Sequence, residues 1–70
     1  MTETEDIVLI KNFDLPFHRK GSLKDVTFPG GMKALRMTFQ ERKRFTMIDL
    51  DATSATELAE SLLAWAEENK

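Results

Sequence analysis

Apolar and polar side chains alternate along the segment Lys33–Gln40, without exception from Leu35 onward, and this pattern restricts the fold more than any other feature of the chain. The apolar positions are Leu35, Met37 and Phe39, and the polar positions are Arg36, Thr38 and Gln40. Successive side chains of a β-strand point to opposite faces of a sheet, so a period of two predicts a strand with one face toward a core. We therefore expect a sheet with one buried face.

A second strand of this sheet is predicted at Arg44–Leu50, separated from the first by Glu41-Arg42-Lys43. We expect these three residues to form a hairpin loop, because this register sets apolar residues opposite apolar ones and polar opposite polar. The predicted pairs are Phe39 with Phe45, Met37 with Met47 and Thr38 with Thr46. In this register one face of the sheet carries the side chains of Arg36, Thr38, Gln40, Arg44 and Thr46.

Two further strands are predicted in the N-terminal half. The aliphatic run in Asp6–Asn12 is typical of a strand that lies centrally in a sheet or is covered on both faces, and Leu23–Phe28 is predicted as the second strand. Between them, Phe13–Ser22 contains Pro16, which lacks a backbone donor, and we expect a loop or an irregular edge there. Pro29-Gly30-Gly31 predicts a turn into the third strand, with either a two-residue or a three-residue loop.

The C-terminal segment has the periodicity of an amphipathic helix. Its apolar stripe comprises Ala55, Leu58, Ala59, Leu62, Trp65 and Ala66, and Glu57, Glu60, Ser61 and Glu67 lie on the opposite side. Ser54 and Glu57 fit a capping box at the helix start. Asp51 and Thr53 are alternative caps. We expect Trp65 to anchor the helix on the sheet.

Together these elements predict an α+β fold, ββββα, in which a four-stranded antiparallel meander is followed by one C-terminal helix. The 70 residues are expected to form a single domain, with residues 1–5 as a flexible acidic N-terminus. One helix covers only one face of a sheet, whereas Ile48, Leu50 and half of the Ile7–Ile10 run provide apolar side chains for the other. Because a chain of this size has a marginal core, we expect a homodimer.

The formal net charge of −2 conceals a strong segregation of charge along the chain. Residues 11–44 contain nine basic and three acidic residues, a net charge of +6, and the rest of the chain carries −8. A basic sheet and an acidic helix complement each other within one fold or across a dimer. Alternatively, the basic cluster binds a polyanion. The candidate residues for nucleic-acid binding are Lys33, Arg36, Arg42, Lys43 and Arg44.

Residue types that carry catalysis or bind metals are scarce. The chain has no cysteine, no tyrosine and one histidine, His18, so no nucleophile–base pair and no thiolate metal site is predicted. Asp49 and Asp51 lack further ligands at metal-binding spacing, and Pro29-Gly30-Gly31 is too short for a phosphate-binding loop. We expect no enzyme activity, no cofactor and no metal site.

The chain also lacks an apolar run long enough to span a membrane, and its acidic start differs from the basic start of a signal peptide. This composition favours a cytoplasmic protein that makes no membrane contact.

From Met32 to Lys70 the chain resembles the positive cofactor four family of single-stranded-DNA-binding coactivators. The likeness lies in the order strand, basic turn, strand and helix, and in Ile48-Asp49-Leu50-Asp51, which is similar to that family's Ile-x-Leu segment and cap before the helix. The resemblance implies a dimer formed through helix and sheet that binds single strands across curved sheet surfaces. The full sequence also resembles small uncharacterised bacterial proteins of similar length, a likeness that implies no function.

The function that we expect is that of a small non-enzymatic interaction or adaptor module, homodimeric, with an unidentified protein partner. The alternative is a single-stranded nucleic-acid-binding protein that uses the basic face of its sheet. Salt distinguishes the two, because binding to phosphates weakens steeply as salt rises. Loss of binding in Arg36→Ala or Arg44→Ala would support the alternative.

Overall fold

A computed structural model describes residues 5–70 and contains four antiparallel strands followed by one helix. The elements are β1 at Asp6–Leu15, β2 at Arg19–Thr27, β3 at Lys33–Glu41, β4 at Arg44–Leu50 and α1 at Ala52–Glu68. The strands lie in the order β1-β2-β3-β4 within one sheet, which confirms the predicted ββββα architecture. Of the N-terminus expected to be flexible, residues 1–4 lie outside the described residues.

The β3–β4 hairpin differs from the prediction by one residue of register. Arg42 and Lys43 alone form the turn, since Glu41 pairs with Arg44, and Arg42 has a left-handed backbone with a φ of 57°. The observed pairs include Arg36 with Asp49, Met37 with Ile48 and Leu35 with Leu50. The observed register thus forms one ion pair and two apolar pairs between the strands. In the register of the predicted three-residue loop, none of these three pairs would form.

The segment Phe13–Ser22 is not a loop, contrary to the prediction. It completes β1 and begins β2, and only Pro16-Phe17-His18 reverses the chain. The strands approach closely at Gly21, where a Cβ atom would lie only 3.3 Å from Cδ1 of Leu15. The proline therefore marks the tip of a long hairpin rather than an irregular edge.

The β2–β3 turn at Pro29-Gly30-Gly31 is confirmed, and it has the three-residue form. The Phe28 amide donates to the Met32 carbonyl at 2.8 Å, and the Gly31 amide donates to the Phe28 carbonyl at 3.0 Å. Gly30 and Gly31 have φ values of 95° and 91°, a region that side chains disfavour.

Asp51 caps the helix, so the helix begins three residues before the start that the capping box at Ser54 predicts. The Ser54 amide donates to Asp51 Oδ1 at 2.8 Å, and this hydrogen bond lowers the pKa of Asp51. At the other end, the Asn69 side-chain amide donates to the Trp65 carbonyl at 2.9 Å. Both ends of the helix therefore have their backbone groups bound by local side chains.

The helix does not lie across the sheet, and the prediction that Trp65 anchors it there is wrong. Among residues 5–70, contacts between helix and sheet are confined to β3 and β4. Exposure rises along the apolar stripe, from 37% at Leu58 to 59% at Leu62 and 68% at Trp65. The helix thus leaves the sheet after its first turns, and the chain measures 50 × 30 × 15 Å.

Little of the described chain is buried. Val26 is the one hydrophobic residue of the described part with a fully buried side chain. Leu23, Leu35, Met37 and Leu50 are half-buried, because no other part of residues 5–70 covers the middle of the sheet. A single chain therefore has no closed core, whereas the sequence had predicted one face covered by the helix.

Candidate binding surfaces

The observed register divides the sheet into two faces of different chemistry. The apolar face carries Leu23, Leu35, Met37, Phe39, Ile48 and Leu50. The polar face carries Ser22, Lys24, Arg36, Thr38, Gln40, Phe45 and Met47, together with the apolar pair Val26 and Ala34. A shift of one residue moves every β4 side chain to the opposite face. Arg44 and Thr46 therefore leave the polar face, contrary to the prediction, and Phe45 and Met47 join it.

Arg36 lies on the polar face and is neutralised by carboxylates. Its Nε and Nη2 donate to the two Asp49 carboxylate oxygens at 2.8 and 3.0 Å, and its Nη1 donates to Glu5 at 3.2 Å. The hydrogen bonds to Asp49 raise the pKa of Arg36, and the guanidinium lowers the pKa of Asp49. Because the Arg36 side chain is only 14% exposed, it links β3 to β4 and offers little free charge to a ligand.

The other four candidate residues for nucleic-acid binding lie at two ends of the sheet. Lys33 begins β3, and its Nζ lies 2.7 Å from a carboxylate oxygen of Asp25. Arg42, Lys43 and Arg44 lie at the opposite end, in the β3–β4 turn and directly after it. The structure therefore brings three of the five predicted residues together and separates them from Lys33 and Arg36.

The β1–β2 turn lies beside the β3–β4 turn and extends this basic cluster. We call the shared surface the basic turn end. It encloses a shallow depression of about 670 Å³. The residues that line this depression are Phe17, His18, Arg19, Glu41, Arg42, Lys43 and Arg44. Phe17 is 82% exposed, and its ring centre lies 5.8 Å from the guanidinium carbon of Arg19. Arg19 Nε also donates to Glu41 at 2.8 Å. An exposed aromatic ring thus stands among cationic side chains.

Backbone conformation also sets the basic turn end apart. Phe17, His18 and Arg42 have φ values of 63°, 61° and 57°, and they are the non-glycine residues of the described chain with positive φ. Such conformations are costly and are concentrated at binding sites. The predicted nucleic-acid-binding residues did not include Phe17, His18 and Arg19, because the sequence pattern placed them in a loop or an irregular edge.

A groove of about 370 Å³ lies on the polar face, reaching from β1 to β4. Its polar and aromatic lining comprises Asn12, Phe13, Asp14, Lys20, Ser22, Lys24, Thr38, Gln40 and Phe45. The hydroxyl of Thr38 is buried and has no hydrogen-bond partner among the described residues. Lys20 and Lys24 were not among the predicted site residues, because the predicted loop at Phe13–Ser22 concealed the β1–β2 pairing.

A second concavity, which we call the apolar cleft, opens on the apolar face where the helix begins. It has a volume of about 440 Å³, and its apolar lining includes Val8, Ile10, Leu35, Leu50 and Ala55. Val8 and Ile10 are 61% and 56% exposed. The cleft lies open because the helix of the same chain does not reach β1.

The side chains that could bind a metal ion are dispersed over the described residues. Within residues 5–70, no group of three or more His, Asp or Glu side chains lies close enough together to hold a metal ion. His18 lies in the β1–β2 turn. The helix of the described chain is too short and too polar to cross a membrane.

Comparison with known proteins identifies the family of the chain. A family model described as a family of unknown function, DUF6967, matches residues 4–68, which include all four strands and the helix. No curated protein and no solved structure matches the chain. The chain therefore belongs to DUF6967, a family of unknown function.

Proposed function

We propose that this chain is a non-enzymatic interaction module that works as a homodimer. The observation that carries the proposal is that the helix and the apolar face of the sheet are both left uncovered by the chain itself. Exposed apolar surfaces of this extent mark interaction sites in soluble proteins. Covering them with a second copy leaves the polar face and the basic turn end outward, as surfaces for a further partner.

The exposed area supports the same proposal. A compact monomer of 8.0 kDa exposes about 4,500 Å², whereas this chain exposes 6123 Å². The excess is on the order of 1,600 Å². A standard protein interface buries about 800 Å² on each partner. The excess surface of the chain is therefore large enough for such an interface. Burying it against a second copy would also supply the hydrophobic core that a single chain lacks.

Analytical ultracentrifugation of the purified chain tests the proposal. We expect a species of twice the 8.0 kDa chain mass at micromolar concentration. Far-ultraviolet circular dichroism of the same samples reports whether strands and helix are present. A folded species that keeps the mass of one chain at every concentration would contradict the homodimer.

Single-stranded nucleic-acid binding is the second candidate function, and the basic turn end favours it. Single strands are bound by cationic grooves that follow the phosphates and by aromatic side chains on which bases stack. Phe17 supplies an exposed ring, and Arg42, Lys43 and Arg44 surround it with charge. The expected resemblance of residues 32–70 to the positive cofactor four family is not confirmed, because no curated protein and no solved structure matches the chain, so this candidate rests on the basic turn end alone.

Fluorescence anisotropy with a labelled oligonucleotide of about 20 bases tests this candidate at several salt concentrations. Each phosphate contact contributes about 0.7 to the slope of log affinity against log salt. A variant with Arg42→Ala, Lys43→Ala and Arg44→Ala should therefore lose about 2 from the slope. Lys33→Ala is the matched control, because Lys33 lies at the far end of the sheet. An oligonucleotide that does not bind even at low salt would rule the candidate out.

A further inference from the structure

The apolar stripe of the helix and the apolar cleft have matching chemistry, but they cannot meet within one chain. Ala55 belongs to the helix and already lines the cleft. Trp65 follows ten residues later, and at a rise of 1.5 Å per residue the helix holds it about 15 Å further along its axis. A rigid helix rooted at the cleft cannot return its own distal residues to that cleft. Leu62 and Trp65 therefore stay exposed unless another molecule covers them.

Charge favours a second copy as that molecule. The sheet segment, residues 6–50, contains nine basic and five acidic residues, a net charge of +4. The helix Ala52–Glu68 contains four glutamates and no basic residue, a net charge of −4. A helix that lies on the sheet of another copy thus brings opposite charges together. In a dimer this attraction occurs twice, once between each helix and the sheet of the other copy.

We infer that α1 of a second copy lies over the apolar face and places Trp65 and Leu62 at the apolar cleft. This inference rests on the homodimer proposed above and specifies its contact. Twofold symmetry makes the contact twice, since each chain contributes one helix and receives one. Large aromatic side chains seated in pockets dominate the energy of many interfaces, and Trp65 is the largest exposed side chain of the stripe.

Substitutions on each side of the contact test the inference. Trp65→Asp changes the helix and Val8→Asp changes the cleft; both residues are exposed within the chain, at 68% and 61%, so neither supports the fold of a single chain. We expect each variant to raise the dimer dissociation constant at least tenfold in sedimentation experiments. Met47→Asp is the matched control, because Met47 is equally exposed, at 61%, but lies on the polar face. Its dissociation constant should stay near that of the wild type.

Mixing the two variants provides the decisive measurement. In a mixed dimer, the intact helix of the Val8→Asp copy meets the intact cleft of the Trp65→Asp copy, so one of the two contacts is restored. We expect the mixture to form dimers at concentrations where each variant alone is monomeric. A helix that acts only within its own chain would give no such recovery, even if the separate variants unfold.

The outcomes separate this inference from the homodimer itself. A monomeric wild-type chain would overturn both. Variants that dimerise as tightly as the wild type would overturn the helix-to-cleft contact and leave the homodimer standing, with a different interface. Variants that dissociate but show no recovery on mixing would also overturn the contact between copies.

Discussion

Arg36 and Asp49 face each other across β3 and β4. Their ion pair favours the observed register of this hairpin, which the alternating pattern did not determine. Two nitrogens of the guanidinium reach two oxygens of one carboxylate, a geometry that is strong and directional. A shift of one residue would place Arg36 opposite Ile48 and expose both charges to apolar neighbours. A single charge pair therefore distinguishes two registers that hydrophobic alternation alone treats as similar.

Removing this carboxylate should lower stability in a pH-dependent way. Folding lowers the pKa of Asp49 below its ordinary value of 3.8, so the folded chain binds fewer protons than the unfolded chain in acid. The stabilisation is fully present above pH 4 or so and is lost as the pH falls through the lowered pKa. We expect Asp49→Asn to lower Tm by about 5 °C at pH 7, with the difference from wild type shrinking at lower pH.

Thermal unfolding from pH 7 down to pH 2.5 or so, at one protein concentration, measures this effect. Asp14→Asn is a suitable control, because it removes a carboxylate that makes no ion pair among the described residues. A difference between Asp49→Asn and wild type that persists unchanged in acid would show that the ion pair is not the cause.

At the scale of the elements, the helix depends on its ends more than on packing against its own sheet. Helices shorter than about 12–15 residues are marginal in isolation, and α1 is only slightly longer, with 17 residues and no buried side chain. We therefore expect Asp51→Ala to reduce the helical signal in circular dichroism and to lower Tm by about 4–8 °C. Asp51→Asn keeps a capping oxygen and should retain most of the signal. Equal loss in both variants would assign the effect to charge instead of capping.

The β3–β4 turn offers a separate test of the observed register. Arg42 has a φ of 57°, a conformation that costs a residue with a side chain about 1 kcal/mol or more. Arg42→Gly should therefore raise the free energy of unfolding by up to about 1 kcal/mol in denaturant titrations. Lys43→Gly removes the same charge from the neighbouring position, which has no positive φ, and should be neutral or destabilising. The reverse order of the two variants would contradict the two-residue turn.

At the scale of the whole molecule, folding and association are expected to be one process. A chain with one fully buried hydrophobic side chain among its described residues gains its core only when a second copy covers the sheet. Mass action then makes Tm depend on concentration, and a hundredfold increase contributes about 2.7 kcal/mol. We expect Tm to rise by several degrees over that range in differential scanning calorimetry. A Tm independent of concentration would indicate a monomer that folds alone.

The local sequence by itself determined most of the secondary structure and the order of the elements. The alternation in Lys33–Gln40, the glycines after Pro29 and the helical periodicity from Ala55 onward each act over a few neighbouring residues, so they predicted the strands, the turn and the ββββα order. The prediction for Phe13–Ser22 was wrong, because Pro16 was interpreted as part of a loop or an irregular edge. In the structure it lies in the turn of a long hairpin.

Only the tertiary structure decided which side chains share a face and where the helix goes. The register of β4 depends on a pairing between Arg36 and Asp49 that lie 13 positions apart in the sequence, and one residue of slip exchanges Arg44 for Phe45 on the polar face. The basic turn end depends on two turns that meet through the strand order. The direction of the helix depends on surfaces remote in sequence, because an amphipathic stripe specifies that it must be covered but does not specify by which molecule.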